Sequence, residues 1–225
     1  MTQGDGDKDL PEGIGRMIAR WGAHVPALLV ETWRLRGLVD LAGGRLRLCD
    51  PGWLAPLMSY LFEGDVDLDG DCHAIAIGNL GEVVIWSERH GFGLLSPVLS
   101  TLTLPYLLTP VPPAPDAQIR DHVLGLSERA IEAFDPDGEP VHDRLVERFG
   151  PLEPGMIYGA TPVPPRLGGT PVKDYVIADA AEWLEAVYTE MAVSIFDYDR
   201  DPQVLRMVGE DWPAGLRAAS RGGAQ

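Results

Sequence analysis

The segment HAIAIGNLGEVVIW, residues 73–86, decides how the first half of this sequence folds. Its two apolar runs, 73–78 and 82–86, are rich in isoleucine and valine, and Asn-Leu-Gly at 79–81 separates them. Branched side chains favour strands, and a short connection with asparagine and glycine favours a tight turn. The segment therefore predicts two antiparallel strands.

Outward from this segment, helical patterns alternate with short strand patterns. Residues 26–36 are typical of a helix, and a short strand is expected at 45–48. Asp50 and Pro51 predict the start of a second helix, with the aspartate as N-cap and the proline in the first turn. Further β structure is expected around 94–104.

The second half is mainly helical by its apolar spacing. The predicted elements are helices over 119–134, 141–149 and 178–196 and a strand over 156–161. In the last helix Trp183, Val187, Met191 and Ile195 form an apolar stripe. Such a stripe needs a burial partner, so we expect Trp183, Met191 or Ile195 to pack between the two halves.

A proline-rich stretch, TPVPPAPD at 109–116, is the strongest boundary signal. Prolines remove backbone donors and stiffen the chain, which suits a linker. We predict an α+β protein of two packed subdomains, each mixing helices with a small antiparallel sheet. Their limits are 12–110 and 117–202, followed by a partly disordered C-terminal tail over 203–225.

The composition excludes several classes of partner. The formal net charge is −16, and no stretch supplies the basic residues that nucleic acid or an anionic membrane surface requires. No apolar run reaches the roughly 18 residues of a membrane span, and the acidic start at 1–9 is unlike a signal peptide. A cytoplasmic location is expected. The acidity attracts a basic partner, or simply keeps the protein soluble.

The potential metal ligands follow no metal-binding spacing. Cys49 and Cys72 are too far apart for a CxxC motif and too few for a disulfide framework, so both are interpreted as buried thiols. His73 and His90 match no zinc pattern with Cys72, which favours surface or hydrogen-bonded roles. We predict no metal and no cofactor.

The run Asp65-Val-Asp67-Leu-Asp69-Gly70 resembles the start of a calcium loop. The twelfth position, which supplies a bidentate glutamate in such loops, is Ala76. We therefore expect no tight calcium binding here. A solvated acidic loop and a charged contact surface are the two remaining interpretations.

Two acidic segments are candidate contact surfaces for a protein partner. No Lys or Arg interrupts the five acids of the first, which are Glu63, Asp65, Asp67, Asp69 and Asp71. The second holds eight acids between Asp174 and Asp201, against Arg200 alone. A nuclease presents basic residues to hold phosphate, so an acidic surface could occupy its groove. The first is the better candidate because a turn can enter a groove.

Catalytic signatures are absent from the sequence. It contains no G-x-S-x-G elbow, no P-loop, no HExxH and no GxGxxG. We therefore predict a binding protein and not an enzyme. An intracellular binding or adaptor module and a metal-dependent hydrolase remain alternatives.

One segment of the second half resembles the C-terminal domain of type VI secretion immunity proteins. The matching positions are Gly150, Leu152, Gly155, Tyr158, Gly159, Leu167, Gly168 and Gly169. Met156 replaces the usual glutamate and Ala160 the usual aromatic residue. None of the matched residues is a nucleophile or a base, so the motif is interpreted as architectural, with its glycines in tight turns.

The first half is similar to the GAD-like domain that precedes this domain in such proteins. The similarity rests on Trp33 with Gly37, on the helix start at Asp50, and on the turn 78–81 that leads into 83–86. Together the resemblances cover roughly residues 20–200. They imply an immunity protein that binds and blocks a co-produced toxin in the cytoplasm, a class associated with DNase effectors.

Overall fold

A computed structural model describes residues 11–165, 169–201 and 203–213. The helices are α1 (Glu12–Trp21), α2 (Ala27–Arg36), α3 (Pro51–Phe62), α4 (Pro115–Ile119), α5 (His142–Phe149) and α6 (Ala180–Glu190). The strands are β1 (Asp40–Leu41), β2 (Leu46–Leu48), β3 (Cys72–Gly78), β4 (Val83–Ser87), β5 (Gly91–Ser96), β6 (Thr101–Thr103), β7 (Met156–Ala160), β8 (Tyr175–Asp179), β9 (Ser194–Phe196) and β10 (Val204–Met207). None of the described helices has the length and apolar character needed to span a bilayer.

The central sheet has eight strands in the order β1-β2-β3-β4-β5-β6-β9-β10. Neighbouring strands are antiparallel except β6 and β9, which run parallel. Strands β7 and β8 form a separate antiparallel pair. The mixture of helices with a mainly antiparallel sheet confirms the predicted α+β class.

Both faces of the central sheet are buried, because alternate side chains of a strand point to opposite sides. In β4, Val83 and Ile85 join the core beneath α3, α5 and α6, whereas Val84 and Trp86 join the core beneath α1 and α2. The protein is therefore layered, with helices on each side of the sheet.

The structure confirms the elements predicted around residues 73–86. Strands β3 and β4 pair antiparallel, with His73 opposite Trp86 and Ile77 opposite Val83. Helix α3 begins at Pro51, and the Asp50 side chain accepts a hydrogen bond from the Gly52 N–H at 2.8 Å. Helix α2 also lies where it was predicted.

Two helices of the second half differ from the prediction. Residues 119–134 form only the end of α4, a π-helical turn at Arg120–Leu124 and a 3-10 turn at Glu128–Ala130. The predicted helix over 178–196 ends at Glu190, and Ile195 lies in β9. Ile195 pairs with Leu102 of β6, so strand pairing replaces helical hydrogen bonding there.

The strands are divided between the halves differently from the prediction. Strands β9 and β10 belong to the second half, yet they extend the sheet that the first half begins. Strand β10 also lies inside the predicted tail, so the described part of that tail, 203–213, contains a sheet strand. Strands of three or four residues leave too little alternation for a sequence pattern to reveal.

Trp183 of α6 packs between the halves, as predicted. Its ring lies against Gly81 of the β3–β4 turn and Gly159 of β7, where an added Cβ would come within 2.7 and 2.8 Å of it. Its Nε1–H donates to the Ala160 carbonyl at 3.2 Å. Gly159 was expected in a tight turn, but it lies in a strand and leaves room for the indole. Ile195 also joins the halves, through strand pairing.

Candidate functional site

The acidic loop over residues 63–71 is tied to the far end of the chain. Asp65 is buried at 2% exposure, and its Oδ1 accepts from Arg206 Nη2 at 2.8 Å. Its Oδ2 accepts from Arg206 Nη1 at 2.5 Å and from the Gly209 N–H at 2.8 Å. Arg206 is itself 4% exposed in β10. A bidentate pair thus clamps the loop to the edge strand of the sheet.

A second aspartate and a tryptophan complete the surroundings of this guanidinium. Asp67 accepts from Arg206 Nη2 at 3.1 Å and from Trp212 Nε1 at 2.6 Å. The Arg206 guanidinium carbon lies 5.0 Å from the centroid of the Trp212 ring. Burial alone would raise the pKa of Asp65, but the hydrogen bonds from Arg206, Gly209 and Asp67 outweigh it and hold that pKa below its usual range.

This arrangement explains the calcium-like spacing. The alternate carboxylates of Asp65 and Asp67 converge on a positive group, as they would in a calcium loop, but that group is the guanidinium of Arg206. A calcium ion at this position would have to displace a buried cation that already holds both Asp65 oxygens.

Two of the five acids predicted to contact a partner, Asp65 and Asp71, are buried in the folded chain. Asp71 is buried and accepts from the Ser87 hydroxyl and from the backbone and side chain of Arg89. Of the five acids, only Glu63 and Asp69 are exposed. Spacing along the sequence cannot show which acids are neutralised, because Arg206 lies 141 residues from Asp65.

The low pKa of Asp65 makes stability depend on pH. A carboxylate whose pKa is lower in the folded state stabilises the fold above its unfolded pKa of about 3.9. That stabilisation is lost as the pH falls through the folded pKa. We expect the free energy of unfolding to fall with pH below about pH 4, and Asp65→Asn to remove part of that slope. Urea unfolding followed by circular dichroism across a pH series measures both slopes.

The control for this measurement is Asp69→Asn, which removes a charge from the exposed part of the same loop. It should keep the wild-type dependence on pH. Equal slopes for Asp65→Asn and the wild-type protein would show that the Asp65–Arg206 pair contributes no acid sensitivity.

Helix α6 presents the acidic surface that remains free. The Asp179 side chain caps the helix by accepting from the Glu182 N–H at 3.0 Å. One face is buried through Trp183, Leu184, Val187 and Tyr188. The other face exposes Glu182, Glu185 and Glu190. None of these three carboxylates forms an ion pair with a residue that the structure describes.

Two exposed apolar side chains lie in the strand that leads into this helix. Val176 and Ile177 of β8 are 43% and 42% exposed, immediately before the helix. We call the surface formed by Glu182, Glu185 and Glu190 the α6 face. Apolar residues with charged neighbours are the usual composition of a protein-binding patch.

Gly150, Leu152, Gly155 and Tyr158 of the immunity-like motif lie in or beside the turn before β7. Tyr158 is buried, and its hydroxyl donates to the Gly150 carbonyl at 2.6 Å, which closes the turn. Gly150 ends α5 with a φ of 81°, a conformation that favours glycine. Leu152 and Gly155 line a cavity of about 550 Å³ beside β2. Leu167 and Gly168 lie outside the described residues, and Gly169 follows them with a φ of 92°.

The two cysteines are buried thiols, as predicted. Burial raises the pKa of both Cys49 and Cys72, so each thiol stays protonated at neutral pH. Neither has the lowered pKa that a reactive thiol requires.

Three side chains that the sequence gave no reason to group meet on the side of the sheet that α1 covers. Glu88 Oε1 lies 2.9 Å from His24 Nδ1 and 2.9 Å from His73 Nε2. Burial opposes ionisation of Glu88, but hydrogen bonds from both imidazoles lower its pKa. The three residues come from the α1–α2 turn, β3 and the β4–β5 turn, so no local spacing could indicate the cluster. His90 was predicted at the surface or hydrogen-bonded; it is buried, and its backbone N–H donates to Ser87 Oγ at 2.8 Å.

Comparisons with known proteins identify one domain and the fold. The family model of the GAD-like domain matches residues 7–97, so a GAD-like domain is present in the first half. No curated protein matches the sequence. A solved structure, the crystal structure of Atu4351 from Agrobacterium tumefaciens, is similar with a TM-score of 0.79 and 22% identity, over 91% of this chain and 92% of that chain. At this identity the likeness shows the fold alone.

Proposed function

We propose that this chain is an immunity protein that neutralises a cognate toxin, a nuclease, by direct protein–protein contact in the cytoplasm. The GAD-like domain over residues 7–97 is consistent with an immunity or binding module. The motif from Gly150 to Gly169 supports the same class through its resemblance to immunity proteins. The proposal needs a surface that recognises a basic partner, and the α6 face has the required properties.

The observation that carries the proposal is the free charge of α6. In the loop, Asp65 pairs with Arg206 and Asp71 pairs with Arg89. In contrast, Glu182, Glu185 and Glu190 form no ion pair with a residue that the structure describes. They extend along about 12 Å of a rigid helix, at 1.5 Å per residue. A nuclease groove is lined with basic residues, so a row of fixed carboxylates can take the place of phosphate.

The neighbouring apolar residues complete the case for this surface. Charge speeds encounter, but the lifetime of a complex depends on a buried core. Val176 and Ile177 offer exposed apolar area in β8, the strand that leads into α6. The α6 face therefore replaces the acidic loop as the proposed contact, while Glu63 and Asp69 remain exposed acids outside it.

Co-expression tests the function. The gene adjacent to this one is expressed in a host with and without this chain, and growth and chromosomal DNA integrity are followed. The proposal expects the neighbouring product to stop growth and fragment DNA, and this chain to prevent both. A toxin that acts with undiminished effect beside folded, abundant chain would contradict the immunity role. Rescue without DNA fragmentation in the unprotected host would retain immunity and reject the nuclease class.

A further inference from the structure

The cluster of His24, His73 and Glu88 has the composition of a transition-metal site. Its donor atoms, one from each residue, all lie within 4.8 Å of one another. Two imidazole nitrogens with one carboxylate form a donor set that suits zinc and the related first-row divalent ions. Calcium and magnesium prefer oxygen donors, so this set discriminates against them.

The present distances are close to those of a coordinated ion. Metal–ligand bonds of about 2.0–2.1 Å in tetrahedral geometry place donor atoms about 3.3 Å apart. Glu88 Oε1 already lies 2.9 Å from each imidazole nitrogen. Small side-chain rotations that move each nitrogen away from the oxygen would open the centre for an ion.

The surrounding structure holds the ligands in place. The Trp21 ring packs against both imidazoles, with centroids 6.2 Å from His24 and 5.3 Å from His73. The Glu88 backbone N–H donates to the Asp71 carbonyl at 3.1 Å, which fixes the β4–β5 turn. Preorganised side chains lose little conformational freedom when they bind an ion.

The cluster is also accessible. The side chains of His24 and Glu88 are 45% and 39% exposed, whereas that of His73 is 10% exposed. All three line a cavity of about 270 Å³, with Trp21 of α1 and with Met58 and Ser59 of α3 on its wall. An ion held by three protein ligands at such a site keeps a coordination position for water or another ligand.

We propose that His24 Nδ1, His73 Nε2 and the Glu88 carboxylate bind one divalent first-row transition-metal ion, with zinc as the representative. The ion ties the α1–α2 turn to β3 and to the β4–β5 turn. Since those segments converge only in the folded chain, binding stabilises the native state. None of its three ligands belongs to the α6 face, so variants of the ligands test the site separately from the proposed toxin contact.

Isothermal titration calorimetry of the full, untagged chain with zinc chloride, after treatment with a chelator, tests this site. We expect one ion per chain and a melting temperature that rises with zinc concentration. Calcium chloride at the same concentrations should produce neither effect. His24→Ala and Glu88→Gln should weaken zinc binding at least about 100-fold, beyond the 10–100-fold that loss of an outer-shell partner costs.

His122→Ala is the matched control, because His122 is another accessible histidine, hydrogen-bonded to Tyr106 at 2.7 Å and outside the cluster. This variant should bind zinc like the wild-type protein. His73→Ala removes a ring that is only 10% exposed, so circular dichroism checks the fold of this variant. If it does not fold, the variants of His24 and Glu88 decide the outcome. The absence of a saturable zinc signal, or binding that survives both His24→Ala and Glu88→Gln, would overturn the proposal.

Discussion

Replacement of Arg206 by methionine is expected to destabilise the protein by about 3–5 kcal/mol. The substitution leaves Asp65 buried at 2% exposure without the guanidinium that holds both of its oxygens. Methionine fills part of the arginine volume, so most of the loss comes from the uncompensated carboxylate and not from a cavity. Urea unfolding at neutral pH, followed by tryptophan fluorescence, measures the change in the free energy of unfolding.

Two further variants test whether the unpaired Asp65 carboxylate causes the loss of stability. Arg200→Met removes an exposed arginine that pairs with Asp197 at 2.9 Å, and it should cost no more than about 1 kcal/mol. The double variant Asp65→Leu/Arg206→Met removes both charges and should recover much of the stability that Arg206→Met alone loses. If Arg206→Met costs no more than Arg200→Met, the buried pair does not clamp the loop to β10.

Charge reversal on α6 is expected to slow association with the toxin by roughly tenfold or more, because electrostatic steering changes association rates by about 10–10³. The variant is Glu185→Lys/Glu190→Lys. Glu182 is kept, since it lies in the first turn, where a negative charge stabilises the helix. Stopped-flow mixing with the toxin gives the association rate, and a salt series should show a flatter dependence for the variant than for the wild-type protein.

The control carries the same change in net charge elsewhere. Glu31→Lys/Asp121→Lys alters two exposed acids on segments that pack against the opposite side of the sheet. Its association should be slowed much less than that of the α6 variant. Equal slowing by both variants would mean that overall charge, and not the α6 face, steers the encounter.

Local sequence signals predicted the first half of the fold well. The β3–β4 pair, α2 and the capped start of α3 each depend on neighbouring residues: branched side chains, an Asn/Gly turn, and an aspartate before a proline. Such signals act over a few residues, and the tertiary structure did not override them. The GAD-like resemblance of this half was confirmed for the same reason, because its pieces occur in order along one continuous stretch.

The features that the sequence could not reveal all depend on distant contacts. Strands β9 and β10 exist because Ile195 and Arg206 find partners in β6 and the acidic loop. The spacing of the stripe from Trp183 to Ile195 is compatible with one continuous helix, and only the pairing of Ile195 with β6 shows that the helix ends before it. The burial of part of the loop could not be predicted for the same reason, since only the fold shows that Arg206 pairs with Asp65 and Asp67.

Titration of the purified toxin with this chain tests direct neutralisation. The toxin's nuclease activity is measured while the chain is added at concentrations well above the dissociation constant, and size-exclusion chromatography follows the complex. We predict activity that falls in proportion to the added chain and reaches zero at a fixed stoichiometry, where a single complex elutes. Full nuclease activity in the presence of excess folded chain, with the two proteins eluting separately, would contradict the proposed function.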